Sequence, residues 1–368
     1  MEYNFSELEE LININSYTKN KAGVDKNGEI VRQKLESLGF TTTVFEREHI
    51  GNHLWFKSPK KEGEKILLLG HLDTVFPPGT FEYFREDEEW IYGPGVCDMK
   101  GGIMVMIEAL RRQKEIFNID IFLVSDEETG SDDSSELTFN IAKEYDYCLV
   151  FEAAGKNGEV VTQRKGIGTF EIEIKGKAAH AGNCFKDGID ANQEAAHKIL
   201  ALSHLSDPDN GTTVNVGKIE GGIGANTISP MATLLFETRF TTASERDRVL
   251  ASMTEITNTS FIPGTTATLG GRLQRDVMEE RPEQLAFLER IKQWTGIKLP
   301  VEHRGGGSDA NIAASAGTVT LDGFGPYGDG DHTVHERASK KSFIQRIELA
   351  TSLLKGFMQE SKKRLEPL

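Results

Sequence analysis

Hydrophobic positions fall into two textures along the chain, and the change comes near residue 164. Before it, short apolar runs alternate with stretches of helical period. SELEELININ carries apolar residues at helical spacing behind Ser6, a capping residue type, and GEIVRQKLESLGF reads as a second amphipathic helix closed by Gly39. Strands are predicted at TTTVFER, NHLWFKS and KILLLG. A glycine-rich loop then leads to a largely buried helix, GGIMVMIEALRRQ, and two further strands follow at IDIFLVS and YCLVFE. Strands interleaved with helices imply an α/β fold: a mostly parallel sheet with helices on both faces.

Beyond residue 164, GIGTFEIEIKGKA alternates apolar and polar positions, as a half-exposed antiparallel strand does. Then come a helix at ANQEAAHKILALSHL, strands at TTVNVGKIEGG and ATLLFETRF, a helix at SERDRVLASMTEITN and a strand near TATLGGRL. This β-α-β-β-α-β order is that of a two-layer, ferredoxin-like α+β unit. It interrupts the first pattern, which resumes at RPEQLAFLERIKQWTG and ends in the helix SKKSFIQRIELATSLLKGFMQE. The expected division is one domain of residues 1–164 and 275–368, with residues 165–274 inserted into it.

Composition narrows the field. At 368 residues the chain is long enough for two domains, and a net charge of −15 argues against nucleic acid or an acidic membrane surface as partner. Cys97, Cys148 and Cys184 are too few and too scattered for a disulfide framework or a cysteine zinc site. No apolar run is long enough to cross a bilayer and the first residues lack a signal-peptide core, so a cytoplasmic protein is expected.

Open α/β sheets bind ligands at the carboxyl ends of their strands. Acids and histidines gather at such places here. His71 and Asp73 follow KILLLG, Asp98 precedes the buried helix, Glu127 and Glu128 follow IDIFLVSD, Glu152 ends YCLVFE, and GDGDHTVHERA holds His332 and His335. Singly, each reads as a loop acid or a surface histidine. Jointly they suit a pair of zinc or similar divalent ions, with an imidazole at each and one shared acid. Residues two apart in extended chain point the same way, so Asp73 is expected to accept the far ring proton of His71. Glu127 and Glu128 are expected to diverge, one ligating while the other faces the cavity as a proton acceptor. His53, His197, His204 and His303 are read as surface or packing residues, Cys97 as a small buried one, and REDEEW as a solvated turn.

GHLDTV, GPGVCDMKGG, SDEETGS, FEAAG, KAAHAG and GGGSDA resemble, in order, the motifs of the M20 metallopeptidases. Within that family the chain is most similar to the carboxypeptidase G2-like, glutamate carboxypeptidase branch. The resemblance implies a catalytic domain holding two zinc ions (cobalt or manganese being alternatives), and an inserted lid domain that makes a homodimer. It implies that His71 and Glu152 hold one metal, Glu128 and His332 the other, and that Asp98 bridges them. Asp73 would support His71, Glu127 would be the general base, and His180 would steady the substrate carbonyl in a neighbouring site. Asn226, Arg239 and the loop of Gly306, Gly307 and Ser308 fall where the family binds substrate. The family pattern near the last ligand is His, two variable residues, usually Asn or Asp, then Glu. That favours His332, but His335 occupies the Asn/Asp position and a swap stays open. Phe185 and Asp190 replace the usual Pro and Asn of the lid motif.

The expected activity is hydrolysis of an amide or peptide bond releasing a C-terminal amino acid. The rivals are N-acyl-amino-acid deacylation, of the acetylornithine or succinyl-diaminopimelate type, and a non-catalytic metal or amino-acid binder. The expected partners are a small peptide or N-acyl amino acid and a second copy of the chain, not nucleic acid or membrane.

Overall fold

The apolar run at residues 66–71 lies inside a six-stranded sheet in the computed structural model, which describes residues 3–365. The strands lie in the order Thr41–Phe45, His53–Lys57, Ile119–Val124, Ile66–His71, Tyr147–Val150 and Val319–Leu321. The last four are parallel, and the first two are antiparallel additions at one edge. Every residue of Ile66–His71 and of Ile119–Val124 is buried, so both faces of the sheet are covered. Helix Lys100–Arg111 packs on Ser6–Ile12 and on the C-terminal helix Lys340–Leu365, while Ser135–Ala142 packs on Asp309–Ser315. This sheet belongs to a compact unit that takes in the described residues up to Gln163, then Glu280–Arg304, then those from Ser308 onward.

Glycine sets how close the buried helix comes. A Cβ on Gly101 would lie 2.0 Å from the Val96 carbonyl oxygen, and one on Gly102 2.0 Å from that of Phe151. The first turn of Lys100–Arg111 therefore rests directly on the chain next to Asp98 and Glu152.

Several local readings change. Ser6 does not cap the first helix: Phe5 occupies the cap, and the Asn4 side chain accepts from the Ser6 N–H at 2.9 Å. The second helix begins at Lys21, earlier than its amphipathic stretch, because the Asn20 side chain caps it by accepting from Gly23. REDEEW forms the turn of a small hairpin, Arg85–Glu86 with Trp90–Tyr92, where Asp87 accepts from the amides of Glu89 and Trp90.

The other unit comprises Arg164–Glu279 with Gly305–Gly307. Its sheet runs Thr213–Gly221, Met231–Phe240, Gly166–Lys175, Thr266–Arg275, all antiparallel, with helices Ala191–Ser203 and Ala243–Asn258 packed against it. That is the ferredoxin-like strand order. Arg164 and Met278 exchange both backbone hydrogen bonds, so the two ends of the insert lie side by side. Under its core, Lys198 is fully buried. Its ammonium donates to the carbonyls of Ile256, Thr257 and Thr259 at 2.6, 3.1 and 2.7 Å and pairs with Glu194 at 3.0 Å. Among the described residues no helix is long and apolar enough to cross a membrane.

Candidate metal centre

Parallel pairing brings three strand ends together. His71 lies opposite Val124, and Leu69 opposite Val150, so the chain leaves each neighbouring strand beside His71. Glu128 then lies in a short turn, Glu127–Thr129, and Glu152 two residues past Val150. Asp98 and His332 arrive from loops, and His332 holds a φ of +62°, a left-handed conformation that non-glycine residues adopt at a cost of about 1–2 kcal/mol.

Asp98 stands between two matching pairs. Its Oδ1 lies 3.1 Å from His71 Nε2, and Glu152 Oε1 lies 3.5 Å from the same nitrogen. Its Oδ2 lies 3.2 Å from His332 Nε2, which is also 3.2 Å from Glu128 Oε2. The structure thus groups His71 with Glu152, His332 with Glu128, and Asp98 with both. His335 takes no part: it lines a separate cavity with Tyr92 and Arg85.

The electrostatics fit a cation. Burial, then the charge of Asp98, pushes the Glu152 carboxyl up to about 8. Burial also raises Glu128, and the Glu127 charge adds to both shifts. The Asp98 and Glu128 carboxylates raise His332 to about 11. Burial works against protonation of His71, yet Asp73, Asp98 and Glu152 raise it well above the usual imidazole range. Four acids around two imidazoles, mostly out of water, are costly unless protons or metal ions compensate them. Mixed nitrogen and oxygen donors suit zinc, cobalt or manganese.

The strand ends at His71 and the chain turns, so Asp73 meets His71 Nδ1 with its backbone carbonyl, at 3.0 Å, as well as with the expected carboxylate, at 3.4 Å. That carboxylate also accepts from the backbone amides of Glu127 and Glu128, at 3.3 and 3.2 Å, and from Thr18 Oγ1 at 2.7 Å. Glu127 and Glu128 sit together in a tight helical turn.

Two residues without an assigned role prove to organise the loops. Glu336 is buried and accepts from the amides of Gly95, Cys97 and Asp98 at 3.0, 3.1 and 3.1 Å, so it fixes the Asp98 loop from behind. Its signal in the sequence is the acid that closes the HTVHE pattern. His53 is not a surface residue: it is buried, its Nδ1 accepts from the Ser125 amide at 3.1 Å, and its Nε2 meets Asp133 at 2.9 Å. Cys97 is buried, as expected.

The remaining site residues lie in the inserted unit, apart from Ser308. His180 is exposed, and its Nδ1 accepts from the amides of Gly182 and Asn183, both at 3.1 Å, which leaves the proton on Nε2. Asn226 is exposed and its carbonyl accepts from Ala181, next to His180. Arg239 pairs with Glu237 through two nitrogens, at 2.7 and 3.2 Å, and donates to the Gly305 carbonyl at 2.7 Å. Arg164 donates to the Gly306 carbonyl, and Gly307 completes that loop. Ser308, buried, caps helix Asp309–Ser315 and donates to Asp322.

Residues 67–356 match peptidase family M20/M25/M40. Carboxypeptidase G2 of a Pseudomonas species is 29% identical over 362 residues, covering 94% of this chain and 87% of that one. A succinyl-diaminopimelate desuccinylase of Helicobacter hepaticus is 28% identical over 400 residues, covering 96% and 97%. The solved aminopeptidase PepT of Bacillus cereus superposes with a TM-score of 0.78 at 24% identity, covering 95% and 97%, a likeness of fold.

Proposed function

The chain belongs to peptidase family M20/M25/M40, and on that premise we propose that it is a two-metal amidohydrolase. It releases a free amino acid, glutamate by preference, from the carboxyl end of a small peptide or N-acyl amino acid. The observation that carries the metal reading is Asp98, with one oxygen toward each histidine–carboxylate pair. His71 and Glu152 would hold one ion, His332 and Glu128 the other, and Asp98 both. When bound, such ions supply a nucleophilic water at neutral pH and polarise the substrate carbonyl.

The chain's own groups do the rest. Glu127, beside the ligands, takes the proton of the attacking water and returns it to the leaving nitrogen. Asp73 positions His71 through its carbonyl and the Glu127–Glu128 turn through its carboxylate. His180, with its proton on Nε2, is a neutral donor suited to the oxygen of the scissile carbonyl. Asn226, Gly306, Gly307 and Ser308 bind the substrate's backbone and carboxylate. Arg239 contributes the N–H groups that Glu237 and Gly305 leave unused. We place the enzyme in the cytoplasm as a homodimer through its inserted unit.

Similarity to carboxypeptidase G2 supports glutamate as the released residue, and similarity to a succinyl-diaminopimelate desuccinylase supports deacylation as the second reading. Chelated protein should be inert and should regain activity with zinc, cobalt or manganese. A panel of acyl-glutamates, succinylated and acetylated diamino acids, and substrates ending in lysine then separates the readings. Activity in protein free of transition metal overturns the proposal. Turnover confined to the acylated diamino acids favours the deacylase, and inertness of the metal-loaded protein on all of them favours a binding protein.

A further inference from the structure

A cavity of about 810 Å³ lies in the unit that contains the six-stranded sheet, and no residue of the metal centre lines it. Its walls come from the loop at 156–158, the segment at 297–300, Tyr327 and the first turns of the C-terminal helix. Four cations line it, Lys156, Lys298, Lys341 and Arg346, against one acid, Glu348. This excess stands in a chain whose net charge is −15.

Arg346 is the decisive member. It is only 4% exposed, yet among the described residues its side chain donates one hydrogen bond, to the Glu159 carbonyl at 3.0 Å. A guanidinium carries five N–H donors, so most of its capacity is unused. Among the described residues neither it nor the three lysines forms an ion pair. Burial draws its pKa down to about 10, with the Glu159 charge acting the other way, so it stays cationic at neutral pH. A buried guanidinium that the Glu159 and Glu302 charges reach without a contact ion pair is poorly compensated. The chain keeps one where it faces a cavity of ligand size.

The rest of the lining sharpens the ligand. The helix Lys340–Leu365 begins at this wall, with Ser339 and Ser342 on it, and although its Lys340 and Ser342 amides are engaged by the Glu89 carbonyl and the Ser339 hydroxyl, the positive end of its dipole lies here. Leu299 and Leu349 supply an apolar side. We propose that this cavity is a second ligand site, separate from the metal centre, for a small organic anion that carries a phosphate group. Arg346 would bind the phosphate through paired N–H groups, the lysines would neutralise its second charge, and the apolar wall would take the carbon skeleton.

The test is calorimetric titration of the metal-loaded full chain with inorganic phosphate and with glycerol 3-phosphate at fixed ionic strength. Saturable binding to a single site per chain is expected. The double variant Lys298→Glu, Lys341→Glu should weaken it about tenfold or more. Both lysines are exposed, so this variant keeps the test valid if Arg346→Met fails to fold. Turnover should be unchanged in the double variant, because neither lysine belongs to the hydrolytic machinery. Absence of saturable binding overturns the proposal, as does binding that the double variant leaves intact, which would place the anion elsewhere. Binding of succinate but of neither phosphate probe overturns the choice of ligand.

Discussion

Asp73 joins two parts of the centre that are separate in sequence. One residue meets the ring nitrogen of His71 with its carbonyl and holds the amides of Glu127 and Glu128 with its carboxylate. The separation of roles proposed for the two glutamates rests on that turn. Glu127→Gln should lower kcat by about 10²–10⁴, the usual worth of a general base, with metal content unchanged by elemental analysis. Glu128→Gln should lose metal, and the opposite pattern would exchange their roles. Glu336 holds the backbone of the Asp98 loop, so on the proposed metal reading Glu336→Gln should weaken metal affinity by about 10–100-fold, read by competition with a chelator. His71, Asp98, Glu127, Glu128 and Glu152 were legible because each ends or follows a buried strand or precedes a helix, whereas His332 lies in a loop and was legible only through the family pattern. The orientation of these residues was not. That Asp73 offers its carbonyl as well as its carboxylate depends on where a strand stops, and no residue type announces that.

At the scale of elements, strands with continuous apolar runs, such as Ile66–His71, were legible to within a residue. Short pieces such as Arg85–Glu86 and Gly328–Asp329 were not, because two residues carry no period and are held only by partners distant in sequence. The left-handed backbone at His332 was equally hidden, since no glycine marks it. In the inserted unit, helix Ala191–Ser203 is tied to the end of Ala243–Asn258 by Lys198. Lys198→Met should destabilise that unit by about 3 kcal/mol, because it removes the ammonium partner of the buried Glu194 and leaves three carbonyls without their donor, the Ile262 amide remaining on the carboxylate. Hydrogen exchange over residues 191–258 would show the loss. Burial works against ionised Glu194, but the Ile262 amide and the Lys198 ammonium outweigh it and lower its pKa. A depressed carboxylate stabilises the fold above its unfolded pKa, and that contribution is lost as pH falls through the folded value. Wild-type protection in this unit should therefore decline in acid, and the decline should be smaller in the Lys198→Met variant.

At the scale of the whole molecule, the insertion was legible as a change of period from mixed helix and strand to alternating strand. On the proposed reading, what the inserted unit does for catalysis rests on His180. In a dimer whose subunits exchange this histidine, variants lacking Glu127 or His180 are each inactive alone. Mixed equally and allowed to exchange, about half of the dimers are heterodimers with one intact site each, so about a quarter of wild-type activity should return. No recovery after demonstrated exchange would assign His180 to its own chain or to packing.

The side-by-side ends of the insert, Arg164 and Met278, also set a timetable. On the ribosome His71, Asp98, both glutamates of the turn and Glu152 are all made before the insert, whereas His332 and Glu336 come after it. At ordinary rates of about 5–20 residues per second, the nascent chain waits on the order of ten seconds between them. During that interval the insert can fold as a loop that leaves and returns at one place. The early acids meanwhile have no second histidine to compensate them. The chain therefore acquires its full proposed ligand set late in synthesis, and a ribosome stalled before residue 332 would hold a protein with four of the five proposed metal-binding groups, lacking His332.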